Sequence, residues 1–153
     1  MNDKVYIHYG SDEFDMNKFQ EHKYDSEFDF KPHIGGLWAS QDTDDEEYHS
    51  WREWCEWEQF QLEDLNSLFR FTLADHQKPF VVKDKSIIET EYCDYVHPNN
   101  IHLLSRLHLN LDKLKRDGYT HIEFYENAWT HWAFYSWDCD CIFILDPTVI
   151  IPI

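Results

Sequence analysis

An α+β fold is predicted by three observations on this chain of 153 residues. Candidate strands and helices follow one another without the strict alternation that builds a doubly wound parallel sheet. Neither the G-x-G-x-x-G fingerprint of dinucleotide-binding sheets nor the phosphate-loop motif occurs. The length suits one ordinary domain, and no repeat, low-complexity tract or linker divides it.

The elements follow in order. Val5 to Tyr9 is short and aromatic-rich, and predicts a first strand. Residues 12 to 34 are polar and aromatic with no clean period, so they are expected to be irregular or weakly helical. Leu37 to Ser40 predicts a second short strand. Asp42 to Glu47 is an acidic run, expected as a solvated loop. Ser50 followed by Glu53 suggests a capping box. A helix from Trp51 to about Phe60 would place Trp51, Trp54, Cys55 and Glu58 on one face, and this tryptophan stripe is read as core. Phe69 to Leu73 and Phe80 to Lys83 predict strands. The leucines at 103, 104, 107, 111 and 114 recur at three- and four-residue spacing, which predicts a helix over Asn100 to Lys115 ending before Gly118. Thr120 to Tyr125 predicts a strand, Glu126 to Tyr135 a short helix, and Cys141 to Leu145 a strongly apolar strand. A last apolar segment runs from Val149 to Ile151.

Charge narrows the function. Thirty acidic residues stand against thirteen Lys and Arg, a formal charge of −17. Phosphate contacts need cations, so general binding to DNA or RNA is disfavoured. The acid maintains solubility, addresses a basic protein, or imitates the charge of DNA. The start, Met1-Asn2-Asp3-Lys4, lacks the basic-then-apolar pattern of a secretory leader, and no apolar run reaches membrane-spanning length. Cys55, Cys93, Cys139 and Cys141 are expected to be reduced thiols in a cytoplasmic protein. The ten histidines show no H-x-x-x-H and the cysteines no C-x-x-C, so no metal site is expected.

Two segments stand out. Tyr6-Ile7-His8-Tyr9-Gly10-Ser11 puts a histidine at the end of an apolar stretch, before a Gly-Ser turn. Gly35-Gly36-Leu37-Trp38-Ala39-Ser40 puts an aromatic after a diglycine, before two small residues. Both are places where backbone can approach a flat ligand closely.

With the late segment Cys141-Ile142-Phe143-Ile144-Leu145-Asp146-Pro147, these segments resemble the ADP-ribosyltransferase superfamily, in the branch shared by diphtheria-type toxins and poly(ADP-ribose) polymerases. The resemblance implies one domain over residues 1–153, with a split, mostly antiparallel sheet, flanking helices and a cleft that holds NAD as substrate. His8 would then hydrogen-bond a ribose. Tyr9 stands where the family usually has glycine, with Gly10 next and Ser11 where serine or threonine is common. Trp38, after Gly36, takes the position of the family's tyrosine beside the nicotinamide, and Ser40 closes that motif. By counting, the family's catalytic glutamate falls on Cys141. The nearest acids are Asp140, the first choice for that role, and Asp138, the second; Glu123 and Glu126 are remote candidates. Arg52 and Lys31 lie near the second motif and are candidates to meet the pyrophosphate.

The chemistry accounts for these residue types. Breaking the nicotinamide–ribose bond passes through an oxocarbenium-like state. A carboxylate can stabilise the developing positive charge and accept the nucleophile's proton. An indole face attracts the cationic nicotinamide ring. The expected function is an NAD-dependent ADP-ribosyltransferase acting on an intracellular protein or nucleic acid, or an NAD hydrolase. Lone domains of this size resemble bacterial or phage effectors, including toxins paired with an antitoxin. An RNA 2′-phosphotransferase shares the implied fold but needs basic residues for its RNA. The alternative from another class is a non-catalytic acidic interaction protein, a DNA mimic or an inhibitor of a host enzyme.

Overall fold

The computed structural model describes residues 4–23, 35–83, 91–96, 106–125, 137 and 139–153. Among them, strands and helices follow in the order β1 (Tyr6–Tyr9), β2 (Leu37–Gln41), α1 (Trp51–Glu58), β3 (Leu68–Leu73), β4 (Pro79–Val82), β5 (Cys93–Val96), β6 (Arg106–Leu109), α2 (Leu111–Arg116), β7 (His121–Phe124), β8 (Cys141–Ile144) and β9 (Ile150–Pro152). Seven strands form one mixed sheet in the order β4-β7-β8-β2-β1-β3-β9, and β5 pairs with β6 apart from it. Within the seven, β4 and β7 run parallel and the other pairs antiparallel. The fold class is α+β, as expected.

The pattern of β8 explains its place. Cys141, Phe143 and Leu145 enter one core, with Phe80, Val82, Ile122, Phe124 and the α2 residues Leu111 and Leu114. Ile142 and Ile144 enter a second core on the opposite face, with Tyr6, Phe69, Phe71, Leu73, Val149 and Ile150. A strand covered on both faces must be apolar at every position, so β8 reads as a continuous apolar run. By contrast β3 buries Phe69, Phe71 and Leu73 and leaves Arg70 exposed, the alternation of a strand with one covered face.

Helix α1 begins as its sequence predicts. The Ser50 hydroxyl accepts from the Glu53 amide at 3.2 Å. The reciprocal half of the box is not made, because the Glu53 carboxylate turns to His49 Nδ1 at 3.0 Å. Cys55 is fully buried, and Trp51 and Trp54 pack on the first core. Trp57, three residues on, is 84% exposed.

The helix expected over Asn100 to Lys115 is corrected. Residues 100–105 lie outside the described ones, Arg106–Leu109 is strand β6, and helix begins only at Leu111. The reason is local and tertiary together. The Asn110 side chain accepts from the Lys113 amide at 3.0 Å and starts a new helix there. The preceding residues find their backbone partners in β5, in the register Cys93↔Leu109 to Val96↔Arg106. Leucines at 107, 109 and 111 fit a period of two as well as the longer one. Gly118, with φ +90°, ends α2 where expected. The helix expected over Glu126 to Tyr135 lies outside the described residues.

Candidate functional site

Strand β2 changes neighbour halfway along its length. Leu37, Trp38 and Ala39 pair with β8, at Ile144, Phe143 and Ile142. Ser40 and Gln41 pair with β1, at Ile7 and Tyr6. Beyond the Ile7–Ser40 pair the ladder between β1 and β2 stops, while β1 continues along β3 through His8↔Phe69 and Tyr9↔Leu68. A cavity of about 280 Å³ opens at this parting, with His8, Tyr9 and Trp38 in its wall.

One bond spans the parting. His8 Nδ1 lies 2.6 Å from the Trp38 carbonyl oxygen. A carbonyl only accepts, so Nδ1 carries the proton. Burial holds the His8 pKa below 6.5, and the bond to Trp38 opposes that shift only in part. The ring is therefore neutral at pH 7, and its Nε2 presents a lone pair. The ring also packs on Phe69, with centroids 5.1 Å apart.

The rest of the wall comes from distant parts of the chain. Trp51 opens α1 and Gln61 follows its end, and Trp137, Cys139 and Cys141 bring in β8 and the approach to it. Trp38 meets Phe143 at 4.5 Å and Trp137 at 4.9 Å between ring centroids. Of these contributors Trp51, Gln61, Trp137, Cys139 and Cys141 were not assigned to the site from sequence. The only signal for them was the three-residue spacing of the tryptophans in α1 and the position of Cys141 by counting.

Two neighbouring grooves adjoin the cavity. One, of about 660 Å³, shares His8 and Trp38 with it and holds Ser11, Lys18 and Gly36. The other, of about 440 Å³, shares Ile7 and Tyr9 and holds Ser40 and Arg52. Thus His8, Tyr9 and Trp38 meet at the cavity, and Ser11, Gly36, Ser40 and Arg52 surround it. Gly10 is not in any of these walls; its amide donates to the Ser67 carbonyl at 2.8 Å.

Several expected ligand groups have structural partners. The Ser40 hydroxyl donates to the Asp140 carbonyl at 3.0 Å and accepts from the Trp51 amide at 2.9 Å. It ties β2 to the start of β8 and the start of α1. Arg52 Nε donates to Glu56 at 2.9 Å, and its guanidinium also meets the Tyr9 hydroxyl. Gly36, with φ +66°, has the Phe143 ring where a Cβ would stand. The flat group that this glycine admits is a ring of the protein's own core.

Asp140 faces away from the cavity. It is 3% exposed, and its Oδ2 accepts from the His49 amide at 2.7 Å while its own amide donates to the His49 carbonyl at 2.8 Å. Its two neighbours, Cys139 and Cys141, line the cavity. The two hydrogen bonds to the His49 backbone fix the Asp140 carboxylate away from that wall. Asp138, Lys31 and Glu126 lie outside the described residues. Glu123 lies on β7 beside buried His121, at 3.5 Å from its Nε2, a distance that makes the contact electrostatic more than a hydrogen bond.

No disulfide joins any of the four cysteines, and among the described residues no group of three or more His, Cys, Asp or Glu could hold a metal ion. No helix among them is long and apolar enough to cross a membrane. No family model, curated protein or solved structure matches the chain.

Proposed function

We propose that the chain binds NAD at the parting of β1 and β2 and transfers its ADP-ribose to an intracellular macromolecule. The observation that carries this reading is convergence. Three segments far apart in sequence, at His8, at Gly36 to Ser40 and at Trp137 to Cys141, meet around one cavity or its rim. The nicotinamide ring fits against Trp38, with the neutral His8 Nε2 accepting from a ribose hydroxyl. Of the two carboxylates assigned from sequence, Asp140 is committed to the His49 amide. The catalytic role in this reading therefore passes to Asp138, the second choice made from the sequence. That role is to stabilise the oxocarbenium-like state and accept the acceptor's proton.

The purified chain incubated with NAD should bind it and release nicotinamide, and Asp138→Asn should suppress release without suppressing binding. Absence of both binding and release would overturn the reading. Binding without release in the unaltered chain would instead favour a non-catalytic acidic binder. That second reading is supported by one observation: among the described residues no carboxylate lines the cavity.

A further inference from the structure

The cavity is walled by three indoles and a phenol, from Trp38, Trp51, Trp137 and Tyr9. These come from four separate segments of the chain, so the sequence does not group them. Trp38 and Trp137 meet at 69° with centroids 4.9 Å apart, forming two walls of a corner. Trp51 stacks on Trp54 at 14° and 5.0 Å, which fixes the plane of a third wall. Aromatic faces attract cations, and most strongly where water is excluded.

The charges around the cavity point the same way. Among the described residues no Lys or Arg lines it, and His8 is held neutral by burial. The groove that shares its Tyr9 wall carries Asp42, Asp44, Asp45, Glu46 and Glu53. Among the described residues the cation in its wall is Arg52, engaged by Glu56, and Arg70 pairs with Asp42 at 3.1 Å, which leaves the other acids in excess. The side of the cavity at Tyr9 therefore lies in a negative field, which favours a cationic ligand beside the aromatic walls.

We infer that the cavity is a cage for a compact organic cation, a pyridinium or quaternary ammonium group, and selects it over a neutral molecule of the same shape. The inference deepens the NAD reading and rests on the same cavity, since the oxidised nicotinamide ring is a pyridinium. A free quaternary ammonium compound would offer the same chemistry without a dinucleotide.

The full chain is titrated at fixed ionic strength, by tryptophan fluorescence and calorimetry, with 1-methylnicotinamide, nicotinamide, tetramethylammonium and NAD. The expected result is that 1-methylnicotinamide binds at least about tenfold tighter than nicotinamide, its near-isosteric neutral form. Trp51→Leu, at a partly buried position where leucine keeps an apolar contact with the core, should remove most of that preference; circular dichroism checks the fold. Tetramethylammonium as tight as 1-methylnicotinamide identifies a free quaternary ammonium as the source, and weaker binding identifies a flat pyridinium. Equal affinity for 1-methylnicotinamide and nicotinamide, or a preference that survives Trp51→Leu, overturns the cage. If the cation binds and NAD does not, the cage stands and the dinucleotide reading falls. If NAD binds while the cation has no advantage, the dinucleotide reading stands and the cage falls.

Discussion

His8 Nδ1 and the carbonyl oxygen of Trp38 lie 2.6 Å apart, across the gap where the ladder between β1 and β2 has stopped. The side chain takes over from the backbone at the point where the two strands separate. His8→Ala leaves that carbonyl without its donor and removes the ring from Phe69. A loss of about 1–2 kcal/mol is expected in urea denaturation. His8→Gln, which keeps an N–H donor, should recover part of the stability. Both variants should weaken NAD binding, because neither restores the Nε2 lone pair in its place.

Asp140 and His49 exchange two hydrogen bonds, one through the carboxylate and one through the amide. Asp140→Ala removes the acceptor of the partly buried His49 amide and should cost about 1–2 kcal/mol of stability. Asp140→Asn keeps an acceptor oxygen and should cost less. Thermal unfolding measures both. A variant at Asp140 that folds normally yet abolishes nicotinamide release would return the catalytic role to this residue.

Gly36→Ala meets two obstacles at once. The backbone there has φ +66°, and the added methyl runs into the Phe143 ring, which is fully buried between β2 and β7. Destabilisation of at least about 2 kcal/mol is expected, from the left-handed backbone and from overpacking together. Gly118→Ala supplies the contrast. It carries the backbone strain alone, with open space around the new methyl, and should cost less.

Acid should weaken the fold in two stages. The folded pKa of His8 lies below 6.5, so as the pH falls past 6.5 the unfolded chain takes up its proton first. The stability present above pH 6.5 declines toward the folded value and then levels. Glu123 acts lower on the scale. Contact with His121 holds its carboxyl below 4.5, so the contribution present above 4.5 is lost as the pH falls through the folded value. Urea midpoints across pH 3–8 test this: His8→Ala should flatten the upper stage and Glu123→Gln the lower.

How much of this was legible in the sequence depended on whether the signal was local. The Ser50 cap, the stop at Gly118 and the strongly apolar strand β8 each follow from a few adjacent residues whose chemistry acts at short range. The motifs at His8 and Trp38 were legible for the same reason. The helix assigned across residues 106–109 failed because leucine spacing cannot tell a helix from a strand when the partner that decides, β5, lies well outside the local window in sequence.

The sequence by itself determined the fold class, most strands, and the two segments that meet at the parting of the sheet. Only the tertiary structure decided which side chains share that space. It brought Trp51 and Trp137 beside Trp38, and it turned Asp140 away between two cysteines that face inward. The physical reason is that alternation along an extended chain gives relative directions, whereas the absolute direction of each face is set by which strands pair and what packs on them.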